Sequence, residues 1–311
     1  CLKLPPEVAA GLLENVNPHP LDSRITFREH DHKYWIDGDC ENLVSSTGFI
    51  HQFFAEFDSD RVIGYIIRGK RWGTDPEYEY FRKTREEIKE MWRLNCEQAC
   101  NAGTVMHAAI EYHLNGLAVP EFSLKTPEWS MYQEYEADIA AEGLVPWRTE
   151  QMVFSEKLRL TGSIDMQYRA PDGSIVMADW KRSKAIHKKD KFGSKKGLFP
   201  FGHLPDCNMT HYSLQLNLYR TFIETYYGEK VSQMYLLVLH PDQKPLDGKR
   251  YNKHMIPRMD EESELMLEFR RQQLVELGLL TENEEAYTYK NAAALGFIPS
   301  DREHVLKFGR V

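Results

Sequence analysis

The chain has 311 residues, 42% of them hydrophobic and 28% charged, with a formal net charge of −8. That length and balance allow one large domain or two small ones with an ordinary core, and they exclude a disordered, collagenous or coiled-coil chain. No run of about 18 apolar residues is present, which excludes a transmembrane helix, and no basic-then-apolar leader opens the chain. The sequence begins at Cys1, so a fragment that has lost any targeting segment is expected. Its five cysteines are too few and too scattered for a disulfide framework, which points to an intracellular, reducing compartment. Mitochondrial, plastid, nuclear and viral origins all stay open.

In chain order, residues 25–27, 34–36 and 43–44 read as strands, with a hairpin turn at Asp37-Gly38. The pattern turns helical from about 58 to 100, and a further helix is expected from Gly103 to Leu114. Gly103 is read as letting that helix start close to the sheet. Another helix is expected over 127–142. The period then changes to two. Met152, Phe154, Leu158 and Leu160 share one face of a strand over 150–160. Over 162–169, Ile164, Met166 and Tyr168 alternate with Ser163, Asp165 and Gln167. Pro171-Asp172-Gly173-Ser174 is a tight turn. The following Ile175-Val176-Met177-Ala178 is apolar on both faces, as a central strand requires, and runs into Asp179-Trp180-Lys181. A helix over 211–227, a strand over 231–239 and a helix over 261–277 complete the reading, followed by an irregular tail. The expected organisation is a mixed α/β core over 101–242. A β-hairpin and helical region over 1–100 packs on it, and a helical extension covers 243–311.

Asp165 and the pair Asp179 and Lys181 fall on adjacent strands joined by a tight turn. Asp179 and Lys181 are two apart, so both leave the same face. Two carboxylates and a lysine at the end of an apolar strand are costly to bury without a purpose. A buried ion pair between Lys181 and one aspartate is the structural alternative. The chemical reading is that the aspartates offer hard oxygen ligands for Mg²⁺ or Mn²⁺ beside a lysine that positions an attacking water. His107 and Glu111 are four apart on one helical face, and without the other motifs they read as a core histidine beside a carboxylate. Gln215 and Tyr219 share a face too, with Tyr219 equally at home in the core beside Leu218, Phe222 and Ile223. From Lys181 to Lys196, eight basic residues stand against Asp190 alone, a window of +7 in a chain of −8. Such a window suits a local anionic partner or a solvated loop.

Gly162-Ser163-Ile164-Asp165 and Asp179-Trp180-Lys181 resemble the PD-(D/E)xK nuclease superfamily. Residues Gly103 to Glu111, with their glycine, histidine and glutamate, resemble the first helix motif of its RecB-like branch. Glu150 stands where that branch often has an acid, and Gln215 to Tyr219 matches its Gln-x-x-x-Tyr motif. The resemblance covers about residues 100–240. It implies a restriction-endonuclease-like α/β core and a metal-dependent DNA nuclease. His107, Asp165 and Asp179 would be metal ligands, Glu111 a ligand or its support, and Lys181 the catalytic lysine. Gln215 and Tyr219 would contact the DNA backbone and brace Lys181. Ser183 would bond a phosphate oxygen, and Arg182, Lys184, Lys188 and Lys189 would line the path of the strand. Phe192, Phe199 and Phe201 are either base-stacking groups or loop anchors, the second being preferred. Only Cys207 lies downstream of the lysine, so no iron–sulfur cluster is expected. Cys96 and Cys100 are expected to be buried thiols. The triplet followed by a hydroxyl residue and lysines looks most like the mitochondrial genome maintenance exonucleases. Degradation from the ends of single-stranded DNA in replication, repair or recombination is therefore expected. A structure-specific or flap endonuclease and a catalytically silent DNA-binding module are the alternatives.

Overall fold

The computed structural model describes residues 11–189 and 193–281. A short helix, α1 (Leu13–Val16), leads into a two-stranded ribbon in which β1 (Ile25–Arg28) runs antiparallel to β2 (Lys33–Ile36). The ribbon closes through residues 29–32 and not at Asp37-Gly38. That pair instead forms a separate turn, at φ of 50° and 84°, which bridges Ile36 to Asp39. The Asp-Gly signal is thus real as a turn, but no partner strand follows it. Val44–Ser45, β3, pairs parallel to a strand more than a hundred residues downstream.

Helix α2 (Ser46–His51) follows at once, capped by the Ser45 side chain, which accepts from the Gly48 N–H. The helical stretch beyond it resolves into α3 (Ser59–Arg68), α4 (Lys70–Thr74) and the first half of α5 (Arg85–Leu114). Helix α5 is 30 residues long and opens on a capping box between Thr84 and Glu87. It passes through Gly103 without a break, and a Cβ there would meet open space. The expected helix start and close approach at Gly103 are therefore corrected, and the helix crosses the expected boundary at residue 100. Cys96 and Cys100 are exposed on it, not buried. Helices α6 (Glu121–Leu124) and α7 (Pro127–Ala141) follow, the second with proline in its first turn, where the missing N–H costs nothing.

The central sheet contains β4 (Val145–Ser155), β5 (Leu160–Arg169), β6 (Ile175–Lys181), β7 (Val231–Val238) and β8 (Asn252–Met255), with β3 added. The order is β3-β5-β6-β7-β8, and β4 lies along the other edge of β5. Pairs β3–β5 and β6–β7 are parallel and the rest antiparallel, so the sheet is mixed. Helix α8 (Asn208–Tyr226) makes the crossover from β6 to β7. Leu158 sits in the turn between β4 and β5, and Leu160 begins β5. The shared face expected for them with Met152 and Phe154 is therefore split between two strands. Strand β8 was not anticipated, since its sequence Asn-Lys-His-Met is short and polar.

Two helical layers cover the sheet. Helices α2, α8 and α9 (Asp260–Glu276) pack with Ile175 and Met177 on one face, and α5 and α7 pack with Val176, Ala178 and Trp180 on the other. Strand β6 is thus buried on both faces, as its apolar run predicts. Burial of Ile175, Val176 and Met177 contributes about 1.5–3 kcal/mol each. Among the described residues no helix is long and apolar enough to cross a membrane.

Candidate active site

Strand β5 carries β4 along one edge, while its other edge is shared. Thr161 pairs with Ser45 of β3, and the rungs to β6 begin only at Met166–Ala178. Residues 162–165 therefore have no strand partner on that edge, and β5 and β6 fork. Tyr219 of α8 packs on the face of β5 in this stretch, and a Cβ at Gly162 would collide with its ring. The Gln215 amide donates to the Tyr219 hydroxyl at 3.0 Å.

Asp165 and Asp179 lie one step beyond the last rung. The Trp180 N–H, released from the ladder, donates to Asp165 Oδ2 at 2.7 Å. Opposite β5, Thr149 pairs with Met166 and Gln151 with Ile164, which sets Glu150 across from Asp165. Glu150 has a φ of 45°, a left-handed conformation that non-glycine residues seldom hold outside functional or tightly constrained sites. The Ser163 hydroxyl donates to Glu150 Oε2 at 3.1 Å.

His107 approaches from α5. Its Nε2 is 3.1 Å from the Trp180 carbonyl oxygen, and its Nδ1 is 3.7 Å from both Glu150 Oε1 and Asp165 Oδ2. With Nε2 held by a backbone carbonyl, the other ring nitrogen is turned toward the carboxylates. His107, Glu150 and Asp165 can each offer a ligand atom with all three atoms within 4.8 Å of one another. Asp179, expected as a ligand, and Glu111, expected as a ligand or its support, lie outside that group, which includes Glu150.

Asp179 is 2% exposed. Lys181 Nζ lies 2.6 Å from Asp179 Oδ2 in a buried ion pair. The ammonium also sits over the Tyr212 ring, 4.9 Å from its centroid. Burial pushes the Asp179 carboxyl up to about 6 against the pull of Lys181. Burial opposes the charge on Lys181, but Asp179 and Asp165 outweigh it and hold the lysine protonated. Burial also works against a charged His107, yet Asp165 and Glu150 raise it to about 9. Glu111, one turn along α5, is raised to about 7 by burial and then by the charges of Glu150 and Glu14.

The other expected residues divide. Tyr219 is 3% exposed and belongs to the core, so direct contact with a nucleic acid is not open to it here. Arg182 is tied to the buried Glu128 at 2.7 Å, and Lys184 pairs with Asp242 at 3.1 Å. The Ser183 hydroxyl donates to the Ala185 carbonyl. Lys188 and Lys189 are exposed. Phe201 is fully buried against Phe53, and Phe199 packs on the same core, which makes both loop anchors. Phe192 lies outside the described residues. Sequence reasoning missed Ser163 as the partner of Glu150, and it missed Tyr212. The helical spacing of Tyr212 to Gln215 and Tyr219 was the available signal for the tyrosine.

No protein-family model matches this chain, and no curated relative does. Solved structures do align. A crystal structure named SSO0001 is 13% identical with TM-score 0.28, covering 77% of this chain and 78% of its own. One from Eubacterium rectale, named "Putative exonuclease", is 12% identical with TM-score 0.37, covering 80% and 89%. At those scores neither transfers a fold or an activity to this chain.

Proposed function

We propose that this chain is a metal-dependent deoxyribonuclease of the PD-(D/E)xK type that hydrolyses phosphodiesters from the ends of single-stranded DNA. The observation that carries the reading is His107, anchored through Nε2 on Trp180 and turned through Nδ1 onto Glu150 and Asp165. One imidazole nitrogen and two carboxylate oxygens suit Mn²⁺ or Mg²⁺. Asp179, buried beside Asp165 and His107 and ion-paired with Lys181, would add a further carboxylate. His107, Glu150, Asp165 and Asp179 would hold the ion. When bound, such an ion lowers the pKa of a coordinated water and offsets charge on the phosphoryl oxygens.

The protein's own groups supply the rest. Lys181 stays protonated at neutral pH, so it acts as a fixed cation and donor toward the attacking water and the developing oxyanion, not as the base. Tyr212 limits where the ammonium can go. Ser163 orients Glu150, and the Trp180 backbone fixes both Asp165 and His107. Glu111, raised to about 7 beside Glu150, supports the site electrostatically. The exposed Lys188 and Lys189 add salt-sensitive affinity that does not depend on sequence.

The test uses 5′- and 3′-labelled single-stranded, duplex and closed-circular DNA with Mg²⁺, Mn²⁺ or EDTA, for the wild type and Lys181→Ala. Metal-dependent ladders from linear DNA, with circles intact and the variant inactive, are expected. Cut circles would replace the exonuclease by an endonuclease. Tight binding without cleavage in any metal would leave a DNA-binding module.

A further inference from the structure

We infer that the cavity walled by β2, the segment entering β3, and α9 is a subsite for a phosphate group at the end of the substrate strand, an inference that rests on the nuclease reading above. The cavity measures about 500 Å³, the size of a small-molecule site. Its wall includes Arg270, which is 3% exposed. The Arg270 guanidinium donates only to neutral oxygens: Leu158 O at 3.0 Å, Asn42 O at 2.8 Å and Gln273 Oε1 at 3.1 Å. Among the described residues, no carboxylate is paired with it. A buried cation with no anion is costly, and such a site is completed by a ligand of opposite charge. Burial, with the nearby charge of Arg159, lowers its pKa to about 10. Lys33 lines the same cavity from β2 and is exposed; among the described residues it has no ion-pair partner, and Glu41 is the one acid in the wall.

The cavity adjoins the candidate active site. Tyr34, in its wall, has its phenol pushed up to about 12 by burial and then by the charges of Glu150 and Asp165. Thr161, also in the wall, begins the alternate positions Thr161, Ser163 and Asp165 along β5. Four residues of strand span about 13 Å. A strand whose reacting phosphodiester lies at Asp165 therefore reaches the cavity within a nucleotide or two. Arg270, Leu277 and Gln52 stand along the α2 and α9 side of the space, which suits an end better than a continuing strand. A terminal phosphate monoester carries about −1.5 to −2, against one charge for an internal diester, and so matches Lys33 and Arg270 together.

The experiment measures binding of the full chain in EDTA to internally labelled single-stranded oligonucleotides. They carry phosphate or hydroxyl at the 5′ end in one pair and at the 3′ end in another. Phosphate at one of the two ends is expected to tighten binding about 10- to 100-fold. Lys33→Ala should abolish that gain while leaving the affinity for hydroxyl-ended strands unchanged. Arg270→Gln should do the same, but it also removes bonds to Leu158 and Asn42, so the exposed Lys33 carries the test if that variant does not fold. Equal affinity for phosphate and hydroxyl at both ends overturns the inference, as does a gain that survives Lys33→Ala. Cleavage without any end preference in binding removes the subsite and leaves the nuclease reading in place. A phosphate preference without cleavage in any metal does the reverse.

Discussion

Strands β5 and β6 run together for four rungs, from Met166–Ala178 to Arg169–Ile175, and then part. In the paired half the backbone satisfies itself, and the side chains of β6 are apolar and at most 2% exposed. The polar Gln167 there is bonded to Gln151. In the forked half, Asp165, Asp179 and Lys181 gather with Glu150 and His107. Two of the backbone groups that the fork releases are taken by side chains. The Trp180 N–H takes Asp165, and the Trp180 carbonyl takes His107. A ladder that ends inside a protein leaves donors and acceptors that must be paired, and here polar side chains pair them. The break in the sheet is thus what fixes the charged groups in place.

The largest effect is expected where the fork's electrostatics are removed. Lys181→Ala should lower kcat by at least about 10²–10³-fold. It also leaves the buried Asp179 without its counter-charge, a loss of about 3–5 kcal/mol for a buried pair. Kinetics and urea unfolding read the two separately, and an active variant would break the link between fork and chemistry. Ser163→Ala touches no expected ligand atom but frees Glu150. Mn²⁺ affinity by calorimetry should fall about 10–100-fold, and an unchanged affinity would make that hydroxyl irrelevant to the site.

Two glycines sharpen the same contrast. Gly162 lies in the fork against Tyr219, so Gly162→Ala overpacks and should cost about 1–3 kcal/mol. Gly103 lies mid-helix with open space, so Gly103→Ala should stabilise by about 0.5–1 kcal/mol. Urea midpoints of the two variants should move in opposite directions. Equal shifts would mean that the Tyr219 ring yields to a Cβ at Gly162.

Strands β5 and β6, the turn at 171–174 and helices α7 and α8 were legible because period and turn chemistry are local. The same patterns set Asp165 beside Asp179 and Lys181. Two things were not legible, for physical reasons. The position of β3 depends on a two-residue parallel contact with Leu160 and Thr161, which no local pattern encodes. The place of Glu150 beside His107 depends on a left-handed φ that a glutamate does not advertise. Gly103 misled because a glycine in a helix resembles a boundary, whereas the capping signal that starts α5 is Thr84 with Glu87, nineteen residues earlier.

The smallest effect concerns a histidine outside the fork. His211 of α8 lies against the Phe54 ring, 3.9 Å between centroids, and 3.0 Å from Asp206. Burial lowers its pKa below 6.5, outweighing Asp206, and the nearby His51 adds to the lowering. Its unfolded form therefore takes up a proton first as acid is added. The stability that the neutral ring contributes is complete above pH 6.5 and declines as pH falls below it toward the folded pKa. His240 and His254, also lowered chiefly by burial, act in the same direction. Asp179 and Glu111, held up at about 6 and about 7, act in the opposite direction over that range. From pH 6.5 to 5 in EDTA, His211→Gln should therefore lose less unfolding free energy than the wild type. A slope unaltered by the substitution would show that His211 titrates alike in the folded and unfolded chain. Any loss of stability on acidification would then belong to His240 and His254, because the raised carboxyls of the fork add stability as pH falls.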